Sequence, residues 1–373
     1  MKILITGAGG FIGRNLIAEL GNQTAGDHEI LFYDVDTPEE KLEGFCAEAD
    51  FVFHLAGVNR PEDPAEFMKG NFGFTSLLLD ALKKAGNKCP VMLSSSIQAA
   101  LDNPYGESKR AGEELLLGYG RETGAPVYVY RFPNVFGKWC RPNYNSAVAT
   151  FCHNLNRGLP ITVNDPKSMV HLVYIDDVVK ELVRLLTENS AAADEQGICH
   201  VPVTYQHTLE HIVNLLYTFR EERTSLAVPD LADPFTKKLY STWISYLPED
   251  AFSYPLATHE DHRGSFTEFL RSEDRGQVSV NVSKPGVVKG NHWHHTKVEK
   301  YLVVSGTGVI RFRKVGFDQI HEYFVSGEKL EVIDIPAGYT HNIENLGETD
   351  MVTIMWASEP FNPDQPDTWF MEV

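Results

Sequence analysis

The chain has 373 residues, 43% hydrophobic and 23% charged, which fits a soluble globular protein of two domains that each bury a core without covalent staples. Its 33 Lys and Arg stand against 51 Asp and Glu, and the net charge of −18 disfavours nucleic acid and anionic lipid as partners, although a local basic pocket can still hold a phosphate. Five scattered cysteines without a CxxC pair read as reduced thiols of a cytoplasmic protein, and no apolar run approaches the roughly 18 residues of a membrane helix.

In chain order, residues 2–6 predict a strand, 12–20 a helix, 29–34 and 51–55 strands, 71–85 a helix, 91–96 a strand, 109–119 a helix and 127–131 a strand. Such alternation predicts an α/β doubly wound parallel sheet, here assigned to a domain over residues 1–245. Between the first strand and helix lies Thr6-Gly7-Ala8-Gly9-Gly10-Phe11-Ile12-Gly13. Gly7 permits a tight turn, Gly10 lets a pyrophosphate approach the backbone, and Gly13 lets helix pack on strand. The helix N-terminus adds N–H groups and a positive dipole end. Asp34 closes the next strand, where a carboxylate accepts from a ribose 2′-OH and repels a 2′-phosphate. That pattern favours NADH, unless an arginine from elsewhere, such as Arg14 or Arg60, intervenes.

Tyr105 and Lys109, four apart on a predicted helix, share one face. A neighbouring ammonium favours phenolate and lowers a phenol pKa from about 10. The pair can then exchange a proton with a carbonyl or alcohol oxygen. Ser94-Ser95-Ser96 ends the preceding strand and offers that oxygen a hydroxyl. Residues 1 to about 245 resemble an extended short-chain dehydrogenase/reductase: Gly7, Gly10, Gly13, Ser96, Tyr105 and Lys109 match its motif positions, Arg131-Phe132-Pro133-Asn134-Val135-Phe136-Gly137 is similar to its Arg-x-x-Asn-x-x-Gly segment, and Tyr174-Ile175-Asp176-Asp177-Val178 resembles the segment closing its substrate pocket. The resemblance implies Tyr105 as acid/base, Lys109 as its partner and ribose ligand, and Ser96 as the carbonyl-positioning hydroxyl. It adds Phe11, Ile12, Leu55, Ala56 and Gly57 to the cofactor contacts. Because this branch handles nucleotide-linked sugars, it puts Asn134, Asn143 and Asn145 on the substrate side.

Residues 235–248 read as the bridge between the halves, with 246–254 as linker. From about residue 255 to 373 the helical period vanishes. Segments 264–270, 277–283, 299–304, 308–314, 320–325, 330–335 and 351–356 predict strands separated by turn residues, as in an all-β barrel or sandwich. His292 and His294, two apart, can share one strand face; Glu299 follows across a short turn and His341 comes from a later segment. Three His and one Glu form a ligand set that suits Zn, Mn, Fe or Ni. The spacing of Gly286, His292, His294, Glu299 and Gly306, then Pro336, Gly338, His341 and Asn345, resembles the two motifs of the cupin family, an all-β jelly-roll barrel. Leu330 stands where the second motif has glycine, which affects a loop shape and no ligand.

Both halves in this order resemble the bifunctional capsular-polysaccharide epimerase–reductases. Supporting segments are His54-Leu55-Ala56-Gly57-Val58-Asn59-Arg60-Pro61, Gly290-Asn291-His292-Trp293-His294-His295-Thr296-Lys297 and Asn362-Pro363-Asp364-Gln365-Pro366-Asp367-Thr368. The resemblance implies epimerisation at C3 of a UDP-linked 4-keto-6-deoxy amino sugar (UDP-2-acetamido-2,6-dideoxy-hexos-4-ulose) in the cupin domain. Reduction at C4 in the N-terminal domain then gives UDP-2-acetamido-2,6-dideoxy-β-L-talose, a precursor of N-acetyl-L-fucosamine. It also implies zinc, a homodimer and NADPH, the last in conflict with Asp34. The epimerisation base stays open among His295, Lys297, Lys284 and Tyr339. The alternatives are a single-activity nucleotide-sugar reductase or 4-epimerase with a cupin for binding or dimerisation, a nicotinamide-binding sensor, and a cupin dioxygenase.

Overall fold

A computed structural model describes residues 1–22 and 28–373. The chain divides into two compact units, Met1–Tyr217 with Pro234–Pro248, and Thr218–Asp233 with Glu249–Val373. The sequence suggests one crossing at 246–254, whereas the chain passes between units three times.

In the first unit, Ile3, Leu4, Ile5, Phe51, Val52, Phe53, Val91 and Met92 are almost completely buried, because a parallel sheet covered on both faces demands continuous apolar runs. The strands are β1 (Lys2–Thr6), β2 (Glu29–Tyr33), β3 (Phe51–His54), β4 (Val91–Ser96), β5 (Val127–Phe132), β6 (Asn134–Phe136), β7 (Met169–Tyr174), β8 (Ile198–Cys199) and β9 (Tyr205–Thr208). Six form one parallel sheet in the order β2-β1-β3-β4-β5-β8. The order reverses between β1 and β3, and ligands of open α/β sheets bind beyond the strand ends at such a reversal. β6, β7 and β9 form a small separate sheet.

Helix ends follow local chemistry. The sequence pattern suggested 109–119, and the helix runs Pro104–Thr123. Asn103 accepts the Gly106 N–H with its side chain, Pro104 occupies the first turn, and Gly124 ends the helix at φ 76°. The expected bridge at 235–248 is instead mostly the helix Pro234–Ser245, whose Phe235, Leu239 and Trp243 are buried within the first unit. An amphipathic pattern set between two proline-containing loops conceals a packed helix. Among the described residues, no helix is long and apolar enough to cross a membrane.

The second unit is antiparallel. Its strands are β10 (Thr258–Asp261), β11 (Gly264–Ser272), β12 (Gly276–Ser283), β13 (Val288–Trp293), β14 (Glu299–Ser305), β15 (Thr307–Lys314), β16 (Ile320–Ser326), β17 (Val332–Ile335), β18 (Tyr339–Asn345), β19 (Met351–Ala357) and β20 (Trp369–Phe370). They form two sheets, β10-β11-β12-β19-β14-β17 and β16-β15-β18-β13-β20. Tyr301, Val303, Ile310, Phe312, Ile335, Ile343 and Met351 fill the core, as the two-residue period of strands requires.

Candidate functional site

The glycine turn is sterically determined. Gly7 has φ 71°, and a Cβ there would stand 2.7 Å from the Ala56 backbone nitrogen. A Cβ on Gly13 would fall 2.4 Å from the Gly7 carbonyl oxygen, and one on Gly10 3.0 Å from it. Phe11 and Ile12 open the helix Phe11–Asn22, whose first N–H groups have no intrahelical acceptor. Asp34 reaches the turn: its carboxylate accepts the Gly9 N–H at 2.6 Å and the Val35 N–H at 2.8 Å. Arg14 points elsewhere, donating to the Trp139 carbonyl at 2.7 Å.

Leu55, Ala56 and Gly57 continue from β3, with the Leu55 N–H donating to the Thr6 carbonyl at 3.1 Å. A Cβ on Gly57 would lie 2.9 Å from both Lys109 Nζ and Asn71 Oδ1. The ends of β1, β2 and β3 and the lysine therefore converge at the sheet's reversal point.

Tyr105 and Lys109 sit on the first turns of Pro104–Thr123. The Tyr105 ring packs on Phe67 with centroids 5.5 Å apart, and its hydroxyl donates to Asn59 Oδ1 at 2.9 Å. Lys109 is buried; Nζ donates to the Ser94 carbonyl at 3.2 Å and lies 5.9 Å from the Tyr105 ring centroid. Spacing predicts that the ammonium lowers the phenol pKa, but burial dominates. It pushes the Tyr105 phenol up, the Ser96 hydroxyl pulls it back, and Tyr144 adds to the rise. Burial also brings Lys109 down to about 8, with Glu113 opposing.

Tyr144, flanked by Asn143 and Asn145, thus lies near the Tyr105 phenol. Asn134, Asn143 and Asn145 are exposed. Asn134 Nδ2 donates to the His171 carbonyl at 2.9 Å, tying β6 to β7. Asn143 has φ 54°, and its N–H donates to Thr150 Oγ1 at 3.0 Å. Arg131 serves the framework, donating from two nitrogens to the buried Glu113 at 2.9 and 2.6 Å.

Sequence reasoning missed two polar residues. Asn59 holds the phenol, and buried Asn71 pins residue 58 to the helix through Val58 (2.9 and 3.1 Å) and Ser108 (2.9 Å). Asn59 had a visible signal, its place in a Gly-Val-Asn-Arg-Pro loop directly after a strand. Asn71 had none.

In the second unit, β13 contributes His292, the loop after it His294, β14 Glu299 and β18 His341. One ligand atom from each lies within 4.8 Å of the others. Glu299 Oε2 is 3.4 Å from His294 Nε2 and 3.3 Å from His341 Nε2. Both histidines are fully buried, and neither Nε2 has a hydrogen-bond partner among the described residues. Buried imidazole nitrogens without a donor, converging on a carboxylate, fit a divalent cation. Burial, then His341, lowers His292 to about 4, so it stays neutral. Burial alone would raise Glu299; the His294 and His341 imidazoles, 3.4 and 3.3 Å from its carboxylate, overcome that and hold it well below the carboxylate range. Buried Tyr301 donates to Glu299 Oε2 at 3.0 Å, a partner to the ligand that residue spacing did not reveal.

Known proteins match both units. The NAD dependent epimerase/dehydratase family profile covers residues 3–198, and the polysaccharide biosynthesis C-terminal domain profile covers residues 259–369. A UDP-2-acetamido-2,6-beta-L-arabino-hexul-4-ose reductase from Pseudomonas aeruginosa is 44% identical over 373 residues, spanning 100% of this chain and 99% of that protein. The crystal structure of capsular polysaccharide assembling protein CapF from Staphylococcus aureus matches with a TM-score of 0.93 and 56% identity over 100% of both chains. RMD from Pseudomonas aeruginosa, complexed with NADPH, matches at 26% identity and a TM-score of 0.50, covering 59% of this chain and 82% of that one.

Proposed function

We infer the function from one premise: the chain belongs to the NAD dependent epimerase/dehydratase family, with a polysaccharide biosynthesis C-terminal domain behind it. It acts on UDP-2-acetamido-2,6-dideoxy-hexos-4-ulose, inverting C3 in the C-terminal unit and reducing the C4 ketone in the N-terminal unit to UDP-2-acetamido-2,6-dideoxy-β-L-talose. The observation that carries this reading is the presence of two separate chemical centres on one chain: Ser96, Tyr105 and Lys109 near the glycine turn, and the His292, His294, Glu299, His341 cluster. The hexul-4-ose reductase and the capsular polysaccharide protein among its relatives support the substrate and its destination.

Bound nicotinamide supplies a hydride, and a bound divalent cation, zinc by family resemblance, supplies a Lewis acid for developing negative charge. His292, His294, Glu299 and His341 would hold the cation. A basic side chain of this unit, one of His295, Lys297, Lys284 and Tyr339, takes the C3 proton, acidic because the ketone delocalises the carbanion, and a solvent-exchangeable proton is returned to the opposite face. Inversion must precede reduction, since reduction removes that acidity. In the reductive step the ketone oxygen displaces Asn59 as acceptor of the Tyr105 hydrogen. Ser96 donates to the same oxygen, Tyr105 gives up its proton, and the Lys109 ammonium stabilises the phenolate left behind. Asn134, Asn143 and Asn145 face the substrate. Gly7, Gly10, Phe11, Ile12, Gly13 and residues 55–57 receive the dinucleotide.

The dinucleotide is NADH or NADPH: Asp34 favours the first, and the family resemblance and the NADPH-bound relative favour the second. Asp34 places a carboxylate on the glycine turn, Val35 and Asp36 follow it, and Arg14 is engaged with Trp139. A 2′-phosphate there meets the negative charge of Asp34. A cytoplasmic homodimer completes the reading; five buried, unpaired cysteines are compatible with a reducing compartment.

The test is the keto sugar in D2O, followed by NMR and mass spectrometry. Deuterium should enter C3 without nicotinamide, and NADH or NADPH, tried separately, should then give the talose derivative. Absence of exchange, or an alcohol with the original C3 configuration, would sink the assignment.

Reduction should also report the buried lysine. Lys109 is cationic below its pKa of about 8 and neutral above it, whereas the Tyr105 phenol, displaced upward, stays protonated through that range. The kcat/KM for ketone reduction should therefore fall as pH rises through about 8, approaching tenfold per unit. A flat profile to about pH 9.5 would remove Lys109 from the step.

A further inference from the structure

The C-terminal residues return to the imidazole cluster. β20 pairs with β13 in the register His292↔Phe370 and Trp293↔Trp369. The Met371 N–H donates to the Asn291 carbonyl at 2.9 Å, and the Thr340 hydroxyl donates to the Met371 carbonyl. The terminal strand is thus tied both to the strand bearing His292 and to the residue before His341.

Just ahead of it, Asp367 makes two kinds of contact. Its carboxylate accepts three consecutive backbone N–H groups: His295 at 2.9 Å, Thr296 at 2.8 Å and Lys297 at 3.0 Å. The Thr296 hydroxyl adds a fourth contact at 3.1 Å. Its main-chain carbonyl meets Nδ1 of His294 within hydrogen-bonding distance. The neighbouring Thr368 hydroxyl accepts from Lys297 Nζ at 3.1 Å.

These contacts have a chemical consequence. Successive N–H groups turned onto one carboxylate form an anion-binding nest with charge-assisted bonds. The nest immobilises the loop between two ligands, His294 and Glu299. An imidazole that presents Nε2 to a cation carries its proton on Nδ1, and an acceptor at Nδ1 selects that tautomer and fixes the ring's direction. His294 is fully buried, with Nε2 facing Glu299. One residue therefore supplies both the acceptor for His294 and the carboxylate that holds this acceptor in register.

We propose that Asp367 is the positioning residue of the metal centre, its carboxylate clamping residues 295–297 so that its own carbonyl sets the tautomer and direction of His294. This rests on the reading that the His–Glu cluster holds a divalent cation. It goes beyond that reading by making the centre depend on a residue some seventy positions away, with no ligand role of its own.

The experiment uses the full chain. Zn2+ affinity is measured by competition with a chromogenic chelator, and the centre's shape by the visible absorption of the Co2+-loaded protein. Asp367→Ala should weaken Zn2+ binding roughly 10–100-fold, the usual cost of losing an outer-shell partner. It should also shift the Co2+ bands and leave NADH affinity unchanged. Asp367→Asn, which keeps size and one acceptor oxygen, should fall between Ala and wild type, and carries the test if the alanine variant does not fold. Zn2+ affinity within twofold of wild type and unchanged Co2+ bands in the folded variants would overturn the proposal. Wild-type protein that took up neither metal would overturn the metal reading beneath it, a result distinct from the first.

Discussion

Tyr105→Phe should lower ketone reduction by roughly 10²–10⁴-fold, the range for a positioned general acid, while C3 deuterium exchange proceeds at the wild-type rate. The substitution removes one oxygen. The ring contact with Phe67 at 5.5 Å stays available to phenylalanine, and the lost hydrogen bond to Asn59 is part-buried, worth about 1 kcal/mol. Fold and dinucleotide binding should therefore survive. The hydride acceptor loses its proton source, and Ser96 alone cannot replace it, since a serine hydroxyl is a far weaker acid than a phenol. Two readouts on one sample decide the matter: NADH consumption followed optically and C3 exchange followed by NMR. Parallel loss of both would mean that the tyrosine serves both centres, and the division of labour between the units would be wrong.

That division was legible early because its two signatures are local. The glycine turn announces itself through spacing, and the structure supplies the reason: at Gly13 a single methyl would meet the Gly7 carbonyl at 2.4 Å. The imidazole set was readable for a related cause, the close spacing of His292, His294 and Glu299 in the chain, although strand alternation does not place it: β13 ends at Trp293 and His294 lies in the loop beyond. What spacing cannot express is depth. Tyr105 and Lys109 share one helical face, as their spacing predicts, but burial and not their mutual charge governs the proton affinity of both. Nor can spacing reveal polar contacts between distant segments. Asn59 meets Tyr105 across 46 positions, and Asp367 meets His295 across 72, each through a hydrogen bond that leaves no period in the chain. The helix Pro234–Ser245 was concealed for a different reason: its buried Phe235, Leu239 and Trp243 become a coherent face only once the first unit exists to receive them.

The complementary substitution is His341→Ala, and its effect should be at least as large. His341 is fully buried on β18, between β15 and β13, with its ring near those of His292, His294, Tyr301 and Phe312. Three changes coincide at this position. A cation loses one of four donors, so affinity should fall by more than the roughly 10–100-fold cost of an outer-shell change. Glu299 loses one of the two imidazoles that hold its buried carboxylate ionised, which raises the cost of keeping that charge inside the barrel. A cavity opens beside Phe312 and Tyr301, so the C-terminal unit should unfold at lower temperature. C3 exchange should vanish and bound metal, measured by elemental analysis, should drop with it. Ketone reduction tested on sugar already inverted at C3 should persist, because Tyr105 and Lys109 are untouched. Exchange that continued in a metal-depleted His341→Ala protein would falsify the assignment of inversion to this cluster and return the question to the phenol.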